Sequence, residues 1–538
     1  MSPEAIADTE AVGGDAAHAP TVNKRGLARS TAIFAAATGV SRVVGLAREI
    51  IEAGVFGIQG PINAFTVAFQ IPNLIRALVA DSALSGAFVP IFSGLLETDR
   101  KRAWRVASTI FWLFFVGLGA IVALLILVAP LLIRPFGDPG GDAALAVGLS
   151  RVLFPIVWLL GLSGIVVGIL NAYDQFTIPS LTPVAWNLVI VLGLVLGVPL
   201  TDSVNSQLYI YAGSILLATL VQFLMPLPSL RGLDGRVGPV IDWRDPAVKR
   251  FFVLMLPVTV TLGLINVSAV IGTFFASRYI DPELAPQAIN KAFRLYMLPQ
   301  GIFSVAVATV LFPTLSRLAA RNEIPGFRKT VDDGIRLIGF LLIPASLVSA
   351  ALAVPITRLV YEHGEFNPAD TTVVAQCLAA FSVGLVFNGW MLMLTRGFYA
   401  LQQNWAPTAV ALGSLILNVV LNIGLYRVGV WGLPLATALA NVVAVGALLW
   451  LMGKRTGIEP PRATLASLGR ILVASTVATA VAFALWWALD AAVGRSVPAQ
   501  LASVGGALVV ATAAYLGACR VAGVRELNAL RSLRHRSG

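Results

Sequence analysis

Long apolar stretches alternate along the chain with short polar connections rich in arginine and lysine. About fourteen of these stretches approach the roughly 20 residues that a helix needs to cross a bilayer core. They begin near residues 30, 61, 104, 144, 178, 206, 249, 284, 330, 370, 406, 429, 464 and 498. The pattern predicts an all-α polytopic membrane protein of about 14 transmembrane helices. Residues 1–23 stand apart: Ala-rich and acidic, with no apolar h-region, they predict a disordered cytoplasmic tail and not a signal peptide.

Composition agrees with the pattern. Of 538 residues, 57% are hydrophobic and 12% charged, about half the charge of a soluble domain, and the mean hydropathy is +0.84. The 49 Gly and 30 Pro suit membrane helices, which tolerate both more than soluble ones do. Cys377 and Cys519 are too few for a disulfide framework or a metal pattern. His18, His363 and His535 are scattered, so neither a zinc site nor a Ser-His-Asp arrangement is expected, and no metal or cofactor is expected.

The net charge of +11 raises nucleic-acid binding, but the placement of the charge speaks against it. With a cytoplasmic N-terminus, the inner connections hold Arg100, Lys101, Arg102 and Arg105, then Arg231, Arg236, Arg244, Lys249 and Arg250. Arg321, Arg328, Lys329, Lys454 and Arg455 follow, and the last tail adds Arg525, Arg531, Arg534 and Arg536. The outer connections hold little beyond Arg134, Arg278, Arg358, Arg427 and Arg495. About 27 of the 38 Lys and Arg fall inside, as the positive-inside rule requires. An odd number of spans would scramble this asymmetry, so both termini are expected in the cytoplasm.

The chain also repeats itself. Ala68-Phe69-Gln70-Ile71 matches Ala292-Phe293-Arg294-Leu295, and Val89-Pro90 matches Phe312-Pro313. Asn171-Ala172-Tyr173-Asp174-Gln175, followed by Pro179, matches Tyr399-Ala400-Leu401-Gln402-Gln403, followed by Pro407. The offset is about 223 to 228 residues throughout. Six spans separate equivalents, so the halves share one orientation and form two six-helix lobes related by a pseudo-two-fold axis along the membrane normal. The expected division is an N-lobe at 24–235, a C-lobe at 236–455, two further spans at 456–522 and a basic cytoplasmic tail at 523–538.

Five cations fall inside spans: Arg42 and Arg48 in the first, Arg76 in the second, Lys291 and Arg294 in the eighth. An arginine at a helix centre costs about 2.5–3.5 kcal/mol on the insertion scale. Such residues snorkel, pair with acids or face a wet cavity. Glu49, Glu52 and Asp81 are the available acids. The cations come from both lobes and outnumber these acids, which asks for an anionic ligand, and guanidinium forks suit phosphate. Pro72 and Pro299 interrupt two of the cation-bearing spans, and Gly45 lies one turn from Arg42 and Arg48. They read either as hinges of a changing cavity or as ordinary packing.

At these residues the sequence resembles the MurJ/MviN family of lipid II flippases, in the multidrug/oligosaccharidyl-lipid/polysaccharide exporter superfamily. The matching stretches are 41–49 (SRVVGLARE), 71–76 (IPNLIR), 86–90 (GAFVP), 292–295 (AFRL), 299–303 (PQGIF) and 311–316 (LFPTLS), with 364–366 (GEF) and 397–400 (GFYA). The resemblance implies alternating-access flipping of an undecaprenyl-pyrophosphate-linked peptidoglycan precursor to the outer leaflet of the bacterial plasma membrane, for cell-wall synthesis and cell shape. It implies Arg48, Arg76 and Arg294 as a pyrophosphate-binding triad with Arg42 beside them, and the last two spans as a groove for the lipid tail. Asn63 stands where relatives often carry Asp, Asp81 where a Glu or small residue is common, and Phe293 where an acid is usual. Lys291 adds a cation one turn from Arg294, so Lys291, Glu49, Asp81 and Asn63 are expected to modulate the cavity. Some relatives bind sodium with a span-seven carboxylate; here Gly272 holds that position, with neutral Asn418 and Asn422 in span eleven.

The expected partners are therefore lipid II, membrane lipids, and cell-wall synthesis and division proteins, with no nucleic acid. Two other readings stand beside this one: an exporter of another lipid-linked oligosaccharide, and a membrane scaffold that does not transport. Surplus arginine disfavours a cationic drug. A membrane enzyme is disfavoured because no carboxylate pair or metal-ligand cluster converges, and Asp99, Asp174, Asp242 and Asp245 sit in loops without a recognisable motif.

Overall fold

A computed structural model describes residues 24–79, 82–403, 405–457, 462–524 and 526–527. The described residues form seventeen α-helices and no strand. The first group comprises α1 (Lys24–Phe56), α2 (Ile62–Val79), α3 (Ser82–Thr98), α4 (Arg100–Ile133), α5 (Ala143–Leu153), α6 (Pro155–Ala172), α7 (Thr177–Leu192) and α8 (Val204–Leu224). The second comprises α9 (Pro246–Phe275), α10 (Ala285–Ala320), α11 (Ile324–Ala351), α12 (Ala353–Tyr361), α13 (Pro368–Ala400), α14 (Trp405–Leu425) and α15 (Gly432–Thr456). Two last helices follow, α16 (Arg462–Val493) and α17 (Val497–Val521).

Eleven helical segments among the described residues are long and apolar enough to cross a bilayer, which makes the chain a multi-pass membrane protein. The sequence reading expected fourteen; α1, α2, α3 and α9 are not among the eleven. The second expected span is divided between α2 and α3.

Several helix starts are written in the sequence. Asp99, Asp142 and Asp245 accept backbone N–H groups at the N-termini of α4, α5 and α9, and Asn367 and Asp370 form a reciprocal capping box on α13. Such caps satisfy N–H groups that the first helical turn leaves unpaired. Asp99 and Asp245, which had no recognisable motif, are thus helix caps.

The internal repeat extends to backbone detail. Asp174 and Gln402, equivalent in the repeat, both adopt positive φ, 58° and 57°. Behind each, the next residue donates back to a carbonyl five positions earlier: Gln175 N to Leu170 O and Gln403 N to Phe398 O, both at 2.9 Å. These are paired Schellman endings on α6 and α13, and each leads into the following helix, α7 or α14.

Three large apolar cores fill the bundle. One joins α2, α5, α7 and α8 through Phe65, Leu149, Ile190 and Tyr211. Another joins α3, α4, α6 and α9 through Phe88, Phe92, Trp104 and Phe251. The third runs through α10, α11, α13 and α15, takes in Ile471 of α16 and Tyr515 of α17, and also receives Ala53 and Ile58 from the end of α1.

The two helix groups meet at one end of the molecule through main-chain bonds. Gly60 N donates to Glu283 O, Gly140 N to Pro282 O and Glu365 N to Gly54 O, each at 2.8 Å. Gln59 Nε2 donates to Asp370 Oδ1 at 2.6 Å. Gly364, in one of the family-like motifs, has φ +61°, and a Cβ there would lie 2.1 Å from Gly54 O. Only glycine permits that approach.

Candidate functional site

The site grows from helical spacing. Glu49 and Glu52 lie three residues apart on α1, and Gln287, Lys291 and Arg294 follow at four and three on α10. Each set therefore shares one helix face, and the two faces oppose each other just inside the end where the groups are tied.

Lys291 is completely buried. Its Nζ donates to Glu52 Oε2 at 2.7 Å, to Glu49 Oε2 at 3.1 Å and to the Glu49 carbonyl at 3.2 Å. Those three bonds use all three donors of the ammonium. Its Nζ also sits 5.5 Å from the centre of the Tyr361 ring. A buried cation costs several kcal/mol unless its partners are well placed, and here they are. Lys291 thus joins the two helix groups rather than offering an open ammonium to a cavity.

Glu49 is the hub. Its Oε1 accepts from Arg48 Nη2 at 2.5 Å and lies 3.5 Å from Arg294 Nε, while Oε2 takes Lys291. Arg48 packs over the Trp186 ring at 4.9 Å, and its buried Nε has no hydrogen-bond partner among the described residues. The Arg294 side chain is 45% exposed against 12% for Arg48. Among the described residues, three cations thus surround two carboxylates, leaving one positive charge in excess, and one guanidinium faces open space.

Around this hub runs a neutral network. Gln287 Nε2 donates to Glu52 Oε1 at 2.9 Å, and Thr66 Oγ1 donates to Gln287 Oε1 at 2.5 Å. Asn63 Oδ1 accepts from Gln287 N at 2.9 Å, while its Nδ2 donates towards the carbonyls of Ile58, Gly60 and Glu283 at 2.8, 3.2 and 2.5 Å. A carboxylate cannot donate, so an asparagine, and not an aspartate, is what this carbonyl cluster requires.

The remaining candidates lie nearer the opposite end of these helices. Arg76, in the last turn of α2, donates to Asn73 Oδ1 at 3.0 and 3.3 Å. Arg42 is exposed and reaches α10, where a Cβ on Gly301 would sit 3.6 Å from its Nη1. Gly45 faces the Asn187 amide of α7. Pro72 is buried within α2, and α10 runs helical through Pro299. Asp81 lies outside the described residues. Gln287, Thr66, Trp186 and Tyr361 were not singled out from the sequence. Gln287 had a signal, since it continues the spacing of Lys291 and Arg294 by one turn; the others come from helices whose approach no local pattern specifies.

A cavity of about 300 Å³ opens among α9, α10, α13, α14 and α15, with Gln70 of α2 in its wall beside Gly272, Asn388, Asn418, Asn422 and Asn441. Every polar side chain lining it is neutral. Amide and hydroxyl oxygens alone do not match the carboxylate-bearing sodium set that the family resemblance offered.

A protein-family model described as lipid II flippase MurJ matches residues 53–498. A protein named probable lipid II flippase MurJ from Vibrio cholerae serotype O1 is 30% identical over 521 residues, which is 94% of this chain and 98% of that protein. One named lipid II flippase MurJ from Burkholderia cenocepacia is 31% identical over 439 residues, 79% of this chain and 83% of that protein. Among solved structures, a lipid II flippase MurJ in an inward closed conformation matches with a TM-score of 0.74 at 24% identity, over 91% of this chain and 98% of that one. A multidrug resistance transporter of the MATE family, inward-facing, matches at 0.65 and 16% identity, over 78% of this chain and 94% of that one. Both structural likenesses bear on the fold alone.

Proposed function

This chain belongs to the lipid II flippase MurJ family, and from that premise we propose that it carries lipid II from the cytoplasmic to the outer leaflet by alternating access, without covalent chemistry. The observation that carries the mechanism is the cluster at Glu49, where Arg48 of α1 and Arg294 of α10 share one carboxylate across the boundary between the helix groups. Glu49 acts as an internal counter-anion. A pyrophosphate offers more charge and more acceptor oxygens than one carboxylate, so it draws Arg48 and Arg294 away from Glu49. Arg76 completes the grip and Arg42 stands towards the cytoplasmic mouth. With Glu49 released, α1 and α10 keep only the bonds of Lys291, Glu52 and the neutral network, and the lobes are free to rock.

The proposed topology has fourteen spans and cytoplasmic termini. The lobes are residues 24–235 and 236–455, residues 456–522 guide the lipid tail, and the bonded end at Gly60, Glu283 and Gly364 faces outward. The membrane potential favours the anion's passage by about 2.3 kcal/mol per charge per 100 mV, less whatever the arginines move with it.

Translocation of lipid II in proteoliposomes tests the grip. A charge-assisted hydrogen bond contributes about 1.5–3 kcal/mol, so Arg48→Ala, Arg76→Ala and Arg294→Ala should each slow transport roughly ten- to a hundredfold. Wild-type rates in all three variants would exclude the grip. Rescue of cells depleted of their lipid II flippase separates this substrate from another undecaprenyl-pyrophosphate sugar, which the arginines alone do not distinguish.

A further inference from the structure

On the outer surface of the bundle, α4 and the start of α9 enclose a groove that plays no part in the transport cluster. It holds a cavity of about 720 Å³, floored by Leu113 of α4 and by Val248, Phe252, Met255 and Leu256 of α9. Phe252 stacks on Phe114 with ring centroids 6.3 Å apart, which fixes one wall. Trp243, 67% exposed, and two exposed cations, Arg244 and Lys249, also line it, with Val253 and Thr259 in the wall. The Arg244 guanidinium lies over the Trp243 ring at 5.4 Å, a contact that steadies the cation while leaving its N–H groups free to donate.

The neighbouring acid does not discharge these cations. Asp245 accepts from Arg102 Nε and Nη2 at 3.0 and 2.9 Å and caps Ala247 N at 2.8 Å. The Arg102 bonds hold its carboxyl below the ordinary carboxylate range, so it stays ionised and committed to Arg102. Among the described residues, neither Arg244 nor Lys249 pairs with a carboxylate. The groove is therefore apolar along its floor and doubly cationic at its mouth, with an amphipathic indole between. That polarity matches a molecule with one anionic head and an acyl tail.

We propose that this groove binds an anionic glycerophospholipid of the cytoplasmic leaflet, its phosphodiester held between Arg244 and Lys249 and its acyl chain laid on Leu113, Phe252 and Leu256. The leaflet, though not the site, rests on the topology proposed above. Basic residues at a membrane surface attract anionic lipid in general; the groove adds a fixed seat for one molecule. It lies where α9 packs on α3 and α4, so a bound lipid braces that seam.

Native mass spectrometry of the full chain in mild detergent, titrated with phosphatidylglycerol or phosphatidylcholine, tests the site. The wild type should retain one phosphatidylglycerol about tenfold more strongly than phosphatidylcholine. The double variant Arg244→Gln/Lys249→Gln should lose that preference, and Arg250→Gln, a cation outside the groove, should keep it. Leu256→Trp, which fills the floor and spares the cations, should also lose the tight lipid. Phosphatidylglycerol should raise the unfolding midpoint of the wild type and not of the double variant, and equal lipid-free midpoints show that both are folded. Equal retention by wild type and double variant, or of both lipids by the wild type, overturns the site. An unaffected Leu256→Trp variant overturns the acyl seat. A cysteine at position 243, Trp243→Cys, should react with an impermeant maleimide from the cytoplasmic side only, and labelling from outside overturns the leaflet. None of these readouts involves lipid II, so a failed flippase assay leaves them intact.

Discussion

Two buried ion clusters divide the molecule, and they balance charge in opposite ways. The first joins α1 to α10 with three cations, Arg48, Lys291 and Arg294, against two carboxylates, Glu49 and Glu52. The second joins α11 to α16 and to the chain after α17 with one cation, Arg336, against Glu526 and Asp332. There Arg336 Nε lies 2.5 Å from Glu526 Oε1, Ser467 Oγ donates to the same carboxylate at 3.0 and 3.1 Å, and Thr464 Oγ1 donates to Asp332 Oδ1 at 2.5 Å. Among the described residues the second cluster holds two carboxylates to one cation, and that negative excess offers an anion nothing. The first keeps a positive excess, a half-open arginine and a position on the boundary between the helix groups. Burial of charge alone does not mark a ligand site; the sign of the excess and its access to open space do.

The largest expected effect comes from cutting the first cluster at its most buried member. Lys291→Met leaves two carboxylates with too few partners and should cost about 3–5 kcal/mol, seen as a lower unfolding midpoint and lower folded yield. Adding Glu52→Gln should recover part of the loss, because it removes one orphaned charge; no recovery would mean that packing, not charge, dominates at Lys291. Arg336→Met in the second cluster should cost less, about 2 kcal/mol, since its side chain is 15% exposed. Lipid II transport per folded molecule should survive Arg336→Met. Equal transport defects in the two variants would erase the distinction drawn here.

Next in size is Asn63→Asp. It removes the donors facing the carbonyls of Ile58 and Glu283, at about 1–3 kcal/mol for the groups left unpaired, and should loosen the seam between the helix groups without touching an ion pair. Faster hydrogen exchange at Gly60 and Gln287 measures it; unchanged protection would take Asn63 out of the tie between the helix groups.

The difference between the clusters was only half legible in the sequence. Hydropathy and loop charge gave the helical class, and the repeat located equivalent helix ends down to Asp174 and Gln402, because turn chemistry is local. The cations of the first cluster stood out because charge inside an apolar run is conspicuous. What each cation does was not legible. Lys291 and Arg294 sit one turn apart on the same helix, yet one is saturated and the other half open, which depends on how α10 meets α1. The second cluster escaped notice altogether: Ser467 and Thr464 are ordinary small polar residues of a membrane helix, and Glu526 lies in a stretch that reads as a basic tail. Contacts between residues 190 apart in sequence leave no periodic trace.

The smallest effect concerns a third pair, Arg102 with Asp245, which lies at the water-facing end of the bundle and so lacks the low-dielectric surroundings of the other two. Arg102 lowers the Asp245 carboxyl relative to its ordinary value, with further help from the Ala247 backbone N–H. A carboxyl whose folded-state pKa is depressed stabilises the fold fully above its unfolded value of about 3.9, and that contribution fades as pH falls through the folded value. Arg102→Gln should therefore lower the unfolding midpoint slightly at neutral pH, and the gap to wild type should shrink as pH drops below about 4. Salt should shrink the gap as well, because the Arg102 side chain is 42% exposed and its charge is screened, whereas the deficit of Lys291→Met should persist in high salt. A deficit of Arg102→Gln that is independent of both pH and salt would mean that the guanidinium acts through its packing against α9 and not through its charge.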